Sequence, residues 1–506
     1  MSAKGVASLD DLDPPAWFAN AAEDLKALRP RWSRGLPCVA LRAGGELPAE
    51  AYPWMLGAIG FTETEAIRHD LIDLLRSHAN RDSLDGWMAA VLKAWIAAAA
   101  PARDAWVLTG AGVLGGDTTV GALHDAIRAW SRGKERALAV RGLDVLGRIG
   151  SALALKEVAT LSAIVRDHGV ADEAQGMLER KAAAQGATRE QIEDQHVNDC
   201  GLDARGERTF SYGPRSFRAA MGNGLDLALF GEDGNKRASL PPPAAADDRA
   251  VAEASRAAWS EVKTAFGRVL KAQLKRFEQA MITGREWPLP DFQAHVLRHP
   301  IVSRIAKTLV WQTADNPFRS VRVTEDLSLA DAADETASLA ESQRLRVAHP
   351  LRLSAGELQA WDALFSDYRI LQPFQQLARK AYLCEPAIAE ETSLAVPPHA
   401  PLKPGVLYGI LDNDGWRLGR PVGGRFFFTS KRFNADGVTA VIHFSGLIAG
   451  EIGKSPEQLL KQCSFHPEDL TDDRKMPGKP MPLGSVPKAA FSETTRRILR
   501  LTEEKG

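Results

Sequence analysis

A run of short helical patterns at residues 106–187 constrains the fold more than any other feature of the chain. Apolar residues recur there every three or four positions, as at Val140, Leu143 and Leu146, and small residues separate one pattern from the next. Each pattern is too short to bury its apolar stripe alone, which predicts antiparallel helix pairs stacked side by side. Such arrays build binding surfaces more often than catalytic sites.

The whole chain is predicted to be mainly α with an α+β C-terminal part. Its 506 residues suit roughly two to four domains, and its apolar content of 45% excludes disorder of the whole. We predict four regions: an N-terminal helical region at 1–105, helical repeats at 106–199, a small β-meander with long helices at 200–312, and an α+β module at 313–506.

Periodicity and turn residues place the elements of the last two regions. The first predicted elements are a β-meander over 209–230 with a turn at Asp233–Gly234, a long helix over 249–282, and a helix over 292–311 that contains Pro300. They are followed by a hairpin over 318–330, a strand over 346–353, and a helix capped by Ser354 and Glu357. The last predicted elements are strands over 406–411, 425–429 and 438–444, a short helix from Ser455, and a terminal helix over 492–502.

Charge and cysteine usage indicate a cytoplasmic protein. The net charge of −1 provides no general basic surplus for nucleic acid. The four cysteines, which are Cys38, Cys200, Cys384 and Cys463, form no CxxC pair, as is typical of free thiols in a reducing compartment. Residues 1–15 contain no apolar stretch of a secretory signal, and the apolar run at 87–100 is too short to span a bilayer. We therefore expect no membrane association.

Two glycine motifs resemble nucleotide loops without their context. Gly110, Gly112 and Gly115 form a literal GxGxxG, but only three apolar residues precede it and no acidic residue ends a second strand about 20 residues on. We interpret the motif as a turn between helices. The sequence GEIGKS at 450–455 has Ile448 where a phosphate loop needs its first glycine. No cofactor is predicted.

His295 and His299 are four residues apart on a predicted helix, which is a spacing that can ligate a metal. No glutamate follows His295 to complete a metalloprotease motif, and Pro300 adjoins His299. We interpret both as structural or surface histidines and predict no metal site.

Basic residues on the long helix are candidates for contact with nucleic acid. They are Arg268, Lys271, Lys275 and Arg276. Arg496, Arg497 and Arg500 near the C-terminus form a second basic group, which would also suit the dipole of a terminal helix. A solvated charged face is the interpretation favoured for both groups, with phosphate contact as the alternative.

Eight aromatic or basic residues near turns and element ends are candidates for ligand binding. They are Tyr212, Arg215, Arg285, Trp287, His299, Trp311, His349 and Trp416. Should they converge between the repeats and the C-terminal part, they would line an interdomain cleft. Capping or packing is the favoured role of each, and no catalytic residue is assigned.

Several stretches in a fixed order resemble the MolR-like domain of unknown function, the large C-terminal module of bacterial WGR-domain proteins. They include EAQGMLERKAAAQGATREQIED (173–194), CGLDARGERTFSYGPRSF (200–217), KAQLKRFEQAMITGREW (271–287), AHPLRLSAGELQAWDALFSDYRILQPFQQLAR (348–379) and DGWRLGRP (414–421). The resemblance implies HEAT-like repeats joined to an α+β part in a bacterial cytoplasmic protein. Since residues 1–100 are predicted to be helical and are rich in alanine, we expect no WGR module in this chain.

The resemblance also implies what kind of function to expect. Members of that family are linked by name to molybdate regulation and accompany MoxR-type ATPases and von Willebrand A-type proteins. The favoured hypothesis is a non-enzymatic scaffold that holds a protein partner, such as an assembly with an AAA+ ATPase, on its helical repeats. The alternative is an enzyme, or a protein that binds nucleotide or nucleic acid, with its site between the repeats and the C-terminal module.

Overall fold

The computed structural model describes residues 25–63, 69–133, 135–165, 167–222, 224–470 and 475–503. Contacts divide the chain into unit 1 (Met1–Asn198) and unit 2 (Asp199–Gly506). Unit 1 is helical and unit 2 is α+β, so the chain is mainly α with an α+β C-terminal part, as the sequence predicts. Over the described residues, no helix combines the length and the apolar character that crossing a bilayer requires.

The described part of unit 1 consists of helices joined by short turns. They are α1 (Tyr52–Phe61), α2 (Asp70–His78), α3 (Arg81–Ala97), α4 (Trp106–Leu114), α5 (Asp117–Arg132), α6 (Arg136–Ile149), α7 (Ala152–Ile164), α8 (His168–Gln185) and α9 (Arg189–Gln195). From α3 to α8, nearly every helix contacts both the next helix and the next but one. This alternation arranges the helices in two layers and buries their apolar stripes, including Leu143, Leu146, Val158 and Leu161.

The GxGxxG motif lies mostly inside a helix. Gly110 and Gly112 are within α4, and only Gly115 ends it, so the interpretation as a turn is right for Gly115 alone. A Cβ at position 110 would come within 2.2 Å of the Ile59 side chain on α1. Gly110 therefore permits close contact between two helices, which is a packing role and not a phosphate-binding one.

Asp85 on α3 caps the neighbouring helix α5. The N-cap residue of α5 is Gly116, which has no side chain to accept a hydrogen bond. The buried carboxylate of Asp85 accepts instead from the backbone N–H groups of Gly116 (2.7 Å), Thr118 (2.8 Å) and Thr119 (3.1 Å). Burial raises the pKa of Asp85, but these bonds and that of the Thr119 hydroxyl outweigh it, and the pKa falls below its ordinary value.

Asp85→Ala is expected to destabilise α5 by about 2–4 kcal/mol, because it removes a helix cap and several hydrogen bonds to a charge. Amide hydrogen exchange of residues 117–132 in the full chain measures this loss. Asp82→Ala provides the matched control, since Asp82 is exposed on the same helix. Equal changes in exchange for the two variants would contradict the capping role.

Unit 2 begins with the predicted meander. Strands β1 (Glu207–Ser211), β2 (Ser216–Met221), β3 (Leu227–Gly231) and β4 (Lys236–Arg237) form one antiparallel sheet in sequence order. The turn at Asp233–Gly234 connects β3 to β4, with Gly234 in the left-handed conformation (φ +71°). The meander predicted from the alternating pattern and the turn residues is confirmed.

The rest of unit 2 alternates helices and short strands. The helices are α10 (Arg249–Thr283), α11 (Val302–Ala306), α12 (Ala355–Asp367), α13 (Pro404–Asn413) and α14 (Lys488–Glu503). The strands are β5 (Glu286–Pro288), β6 (Val310–Thr313), β7 (Ser320–Val323), β8 (Leu329–Ala330), β9 (Arg344–Val347), β10 (Leu394–Ala395), β11 (Arg417–Leu418), β12 (Arg425–Phe433), β13 (Val438–Ile448) and β14 (Leu460–His466).

Two antiparallel sheets surround the long helix α10. The second sheet has the strand order β5-β9-β6-β7-β8, and the third has the order β10-β14-β13-β12-β11. Helix α10 contacts β9 of the second sheet, β12 of the third sheet, and the terminal helix α14. It therefore organises the part of unit 2 in which the candidate site lies.

Three predicted elements of unit 2 are wrong, and the strand predicted over 346–353 ends at Val347, since Pro350–Arg352 form a 3-10 helical turn. The helix over 292–311 is instead a π-helical turn (Phe292–Leu297), α11 and the start of β6, because Pro300 interrupts the helical hydrogen bonds. The apolar run at 406–411 belongs to α13, which starts at Pro404, since a short apolar run suits a buried helix as well as a strand. Ser455 caps no helix, because its hydroxyl accepts from the Ile448 N–H at 2.8 Å.

Candidate functional site

Tyr212 and Arg215 meet in the first sheet of unit 2, where their contacts are structural. The Tyr212 hydroxyl donates to the Pro241 carbonyl at 2.7 Å, and its ring is fully buried. Arg215 lies over the Tyr212 ring and donates two hydrogen bonds to Asp247, at 2.8 and 2.7 Å. These contacts hold the segment that follows β4, which includes Pro241 and Asp247, against the meander.

Trp287 and Trp311 belong to an aromatic core. Their ring centroids are 5.6 Å apart, and Trp311 Nε1 donates to the Ala306 carbonyl at 3.0 Å. Arg285 lies over the Trp287 ring at 4.4 Å, which is a cation–π contact. His299 accepts at Nδ1 from two backbone N–H groups, those of Ile301 and Val302, both at 3.2 Å.

Trp416 lines a pocket of charged residues elsewhere in unit 2, and His349 contacts Glu493, another residue of its lining. The pocket encloses a cavity of about 70 Å³. Its lining consists of Glu278, Gln279, Ile282, Arg379, Asp414, Trp416, Lys431, Phe433, Glu493, Arg496, Arg497 and Arg500. Roughly 10–15 Å³ suffices for one water molecule, so the cavity has room for several waters or a small anion. Hereafter we call it the basic pocket.

Glu493 is the centre of the buried ionic network behind the basic pocket. Its carboxylate accepts two hydrogen bonds from Arg379, at 2.8 and 2.7 Å, and lies 3.1 Å from His349 Nε2. Arg379 also reaches the Glu278 carboxylate at 2.9 Å. Burial raises the pKa of Glu493, but the bonds from Arg379 and His349 outweigh it and hold the pKa at about 2. Glu493 is therefore ionised at every physiological pH.

Lys431 enters the basic pocket from β12 and is only 5% exposed. Its Nζ donates to Gln279 Oε1 at 2.7 Å and to the Asp414 carbonyl at 2.5 Å. Burial is the main cause that lowers the pKa of Lys431 to about 7, and the charge of Arg379 adds to it. Half of the Lys431 side chains are thus neutral near pH 7.

Three arginines of α14 line the same pocket. Arg496, Arg497 and Arg500 follow Glu493 by three, four and seven residues, which places all four on one helical face. Arg497 pairs with Asp414, and Arg496 with the Lys380 carbonyl. The sequence favours a solvent-exposed charged face for these three arginines. Only Arg500 is exposed, because the side chains of Arg496 and Arg497 are each only 14% exposed.

Local sequence explains how Asp414 reaches Lys431. Gly415 adopts the left-handed conformation (φ +75°), which ends α13 and lets the Trp416 N–H bond to the Leu411 carbonyl at 2.9 Å. The chain reversal turns the Asp414 carbonyl toward Lys431 and places Trp416 in the lining. A side chain at position 415 would strain this turn.

The charge balance of the basic pocket favours an anion. Five basic side chains line it against three carboxylates, so a surplus of two positive charges remains when Lys431 is protonated. Guanidinium groups bind carboxylate and phosphate through paired hydrogen bonds. A metal is not suggested, since within the described residues no group of three or more His, Cys, Asp or Glu side chains is placed to hold one.

The residues proposed for nucleic-acid contact lie on α10 next to this region. Lys271 is exposed, whereas Arg268, Lys275 and Arg276 are half-buried. Arg276 donates to Gln273 Oε1 at 3.0 Å. The charge of Lys275 contributes to lowering the pKa of Lys431, so it acts on the basic pocket. Nucleic-acid contact through this helix stays a prediction.

Most residues of the basic pocket were not among the candidates from sequence. Glu278, Arg379, Lys431 and Glu493 come from four segments that only the fold brings together. Two signals were available: Lys431 alternates with Phe433 on the buried face of a strand, and the arginines of α14 repeat at helical spacing. Neither indicates which elements meet.

Comparison with known proteins finds similarity to a domain and a protein whose functions are unknown. Residues 234–416 match the model of a domain of unknown function, DUF4132, and this range includes Glu278, Arg379 and Trp416. The chain is also similar to "Uncharacterized protein YehI" of Escherichia coli (strain K12), with 29% identity over 328 residues. That alignment covers 64% of this chain and 27% of the relative's length. No solved structure matches the chain.

Proposed function

We propose that unit 2 binds a small ligand with a phosphate or carboxylate group in the basic pocket. The observation that carries this proposal is the surplus of arginine and lysine around a partly enclosed cavity. Buried cations are costly unless anions neutralise them. A bound anion would supply the missing negative charge.

Two arginines have hydrogen-bonding capacity left for such a ligand. The exposed Arg500 makes no hydrogen bond or ion pair with any described residue, and it lines the pocket on the solvent side. Arg496 Nε is buried without a hydrogen-bond partner among the described residues, since Glu493 is 3.7 Å away. An unsatisfied buried donor in a native fold calls for a partner, and an anion in the cavity would provide it.

Arg500→Ala is expected to weaken the binding of inorganic phosphate about two- to fivefold, because Arg500 is exposed and water screening leaves such an ion pair up to about 1 kcal/mol. Isothermal titration calorimetry of the full chain at low salt measures the affinity. Arg420→Ala is the matched control, since Arg420 is exposed in unit 2 but does not line the pocket. Absent binding to the unmodified chain, or equal affinity of both variants, would refute the proposal.

A scaffold role for unit 1 is the second candidate function. The two-layer helical array supports it, because stacked helices present a continuous surface. The resemblance to the MolR-like module and its HEAT-like repeats belongs to this proposal, as does a place in the bacterial cytoplasm beside a MoxR-type AAA+ ATPase. Size-exclusion chromatography of the chain mixed with such an ATPase provides the test. Separate elution of the two proteins over a range of concentrations would count against it.

A further inference from the structure

The two hydrogen bonds of Lys431 leave one side of its nitrogen open to reaction. A neutral amine has two N–H groups and one lone pair in a tetrahedral arrangement. Gln279 Oε1 and the Asp414 carbonyl take two N–H groups at 2.7 and 2.5 Å, and the described residues provide no third partner. The lone pair of the neutral amine is thereby held at the remaining tetrahedral position.

The surroundings of Lys431 favour the neutral amine and a nucleophilic role. The side chain is buried near Trp416 and Phe433. Glu493 and Glu278 favour its protonation, but burial outweighs them, and the charges of Arg379 and Lys275 add to the effect of burial. Desolvation beside other cations is a recognised way to activate a lysine amine.

We propose that Lys431 forms an imine with a small aldehyde or 2-oxo acid whose anionic group is bound by the arginines of α14. This inference rests on the proposed function, because the arginines must first hold the anion. It narrows the ligand class to compounds with a carbonyl carbon close to a carboxylate or phosphate.

The proposed step balances without an oxidant or a reductant. The Nζ lone pair attacks the carbonyl carbon, and the former carbonyl oxygen takes up a proton that nitrogen releases. The carbinolamine then loses this oxygen as water, for which the last nitrogen proton is transferred to the leaving hydroxyl. One carbon–oxygen double bond is replaced by one carbon–nitrogen double bond, and one molecule of water is released.

Reductive trapping tests the inference on the full chain. We would incubate the protein with glyoxylate and sodium cyanoborohydride, which turns a lysine imine into a stable carboxymethyl-lysine. Peptide mass spectrometry then locates the modified lysines. We expect Lys431 to be labelled at least 10-fold faster than exposed lysines such as Lys403, with a rate that rises as pH increases through about 7 and falls when phosphate is added.

Two variants separate the amine from the anion site. Lys431→Arg should abolish trapping at this position, whereas Arg500→Ala should slow trapping at Lys431 in parallel with its loss of phosphate affinity. Since a variant can fail to fold, the comparison between Lys431 and Lys403 in the unmodified chain is decisive by itself.

The outcomes distinguish this inference from the proposed function. Phosphate binding together with labelling of exposed lysines only would refute the imine and keep the anion site. Absence of both phosphate binding and labelling at Lys431 would refute both. Labelling at Lys431 that phosphate leaves unchanged would also refute the inference, because it would show a reactive amine outside the anion site.

Discussion

Glu493→Gln is expected to lower the free energy of unfolding of unit 2 by about 3–5 kcal/mol at pH 7, the usual effect of removing one partner of a buried ion pair. Glutamine keeps the shape of the side chain but not its charge. Arg379 would face an amide NH2 in place of one of its two acceptor oxygens, and both Arg379 and His349 would lose the negative charge beside them. Urea unfolding and amide exchange of α14 measure the effect.

The pH dependence of Glu493 has a defined sign. Its folded-state pKa of about 2 lies below the ordinary value of 4.5, so the folded state favours the ionised form. The stabilisation is complete above about pH 5, and it is lost as pH falls from 4.5 toward 2. The difference between the unmodified chain and Glu493→Gln should therefore shrink by roughly 3 kcal/mol over that range.

Glu278→Gln is the matched control for this prediction. Glu278 bonds to the same Arg379 but is 36% exposed, so water screens the interaction. We expect it to cost less than about 1 kcal/mol. If both variants were destabilised equally, or if the pH dependence of Glu493→Gln matched that of the unmodified chain, the buried network would not be the main source of stability at this site.

The effect of Lys431→Met on stability is expected to become less favourable as pH rises. The folded-state pKa of about 7 lies below the ordinary 10.5, so protonation opposes folding. The penalty is complete below pH 7, at up to ~5 kcal/mol, and it disappears as pH rises from 7 toward 10.5. Methionine avoids this penalty, but it leaves Gln279 Oε1 and the Asp414 carbonyl without their donor, at about 1–3 kcal/mol each.

The net effect of Lys431→Met on the free energy of unfolding should therefore become about 4 kcal/mol less favourable between pH 6 and pH 10. Denaturant unfolding at pH 6, 8 and 10 measures the difference. Lys403→Met, at an exposed position before α13, should differ from the unmodified chain by a constant small amount. A constant difference for Lys431→Met would show that the lysine is not kept neutral by its surroundings.

The sequence predicts local structure where the signals are redundant. Alternation and turn residues locate β1 to β4, and Ser354 with Glu357 forms the predicted capping box of α12. Prediction from the sequence fails where one apolar pattern fits both a helix and a strand. The apolar run in α13 reads equally as a strand, and Trp311 lies on β6 and not on a helix.

The candidate ligand-binding residues likewise divide into those with a packing role and those near the basic pocket. Aromatic and basic residues beside turns were candidates for ligand binding. In the structure, Tyr212, Arg215 and Trp287 instead stabilise the packing of the fold. Trp416 lines the basic pocket, and His349 contacts Glu493, which lines it as well. Residue type alone does not separate these outcomes, since the partner lies as far as 144 positions away along the chain.

The sequence by itself determined the fold class and most secondary structure of this protein, since these follow from the period of apolar residues and from caps and turns within a few positions. Only the tertiary structure decided the basic pocket. Lys431 and Glu493 are ordinary surface residue types until α10, α14 and β12 exclude water from them. Burial and the resulting charge pairs are non-local, so the pKa values and the anion preference of the pocket arise only in the folded chain.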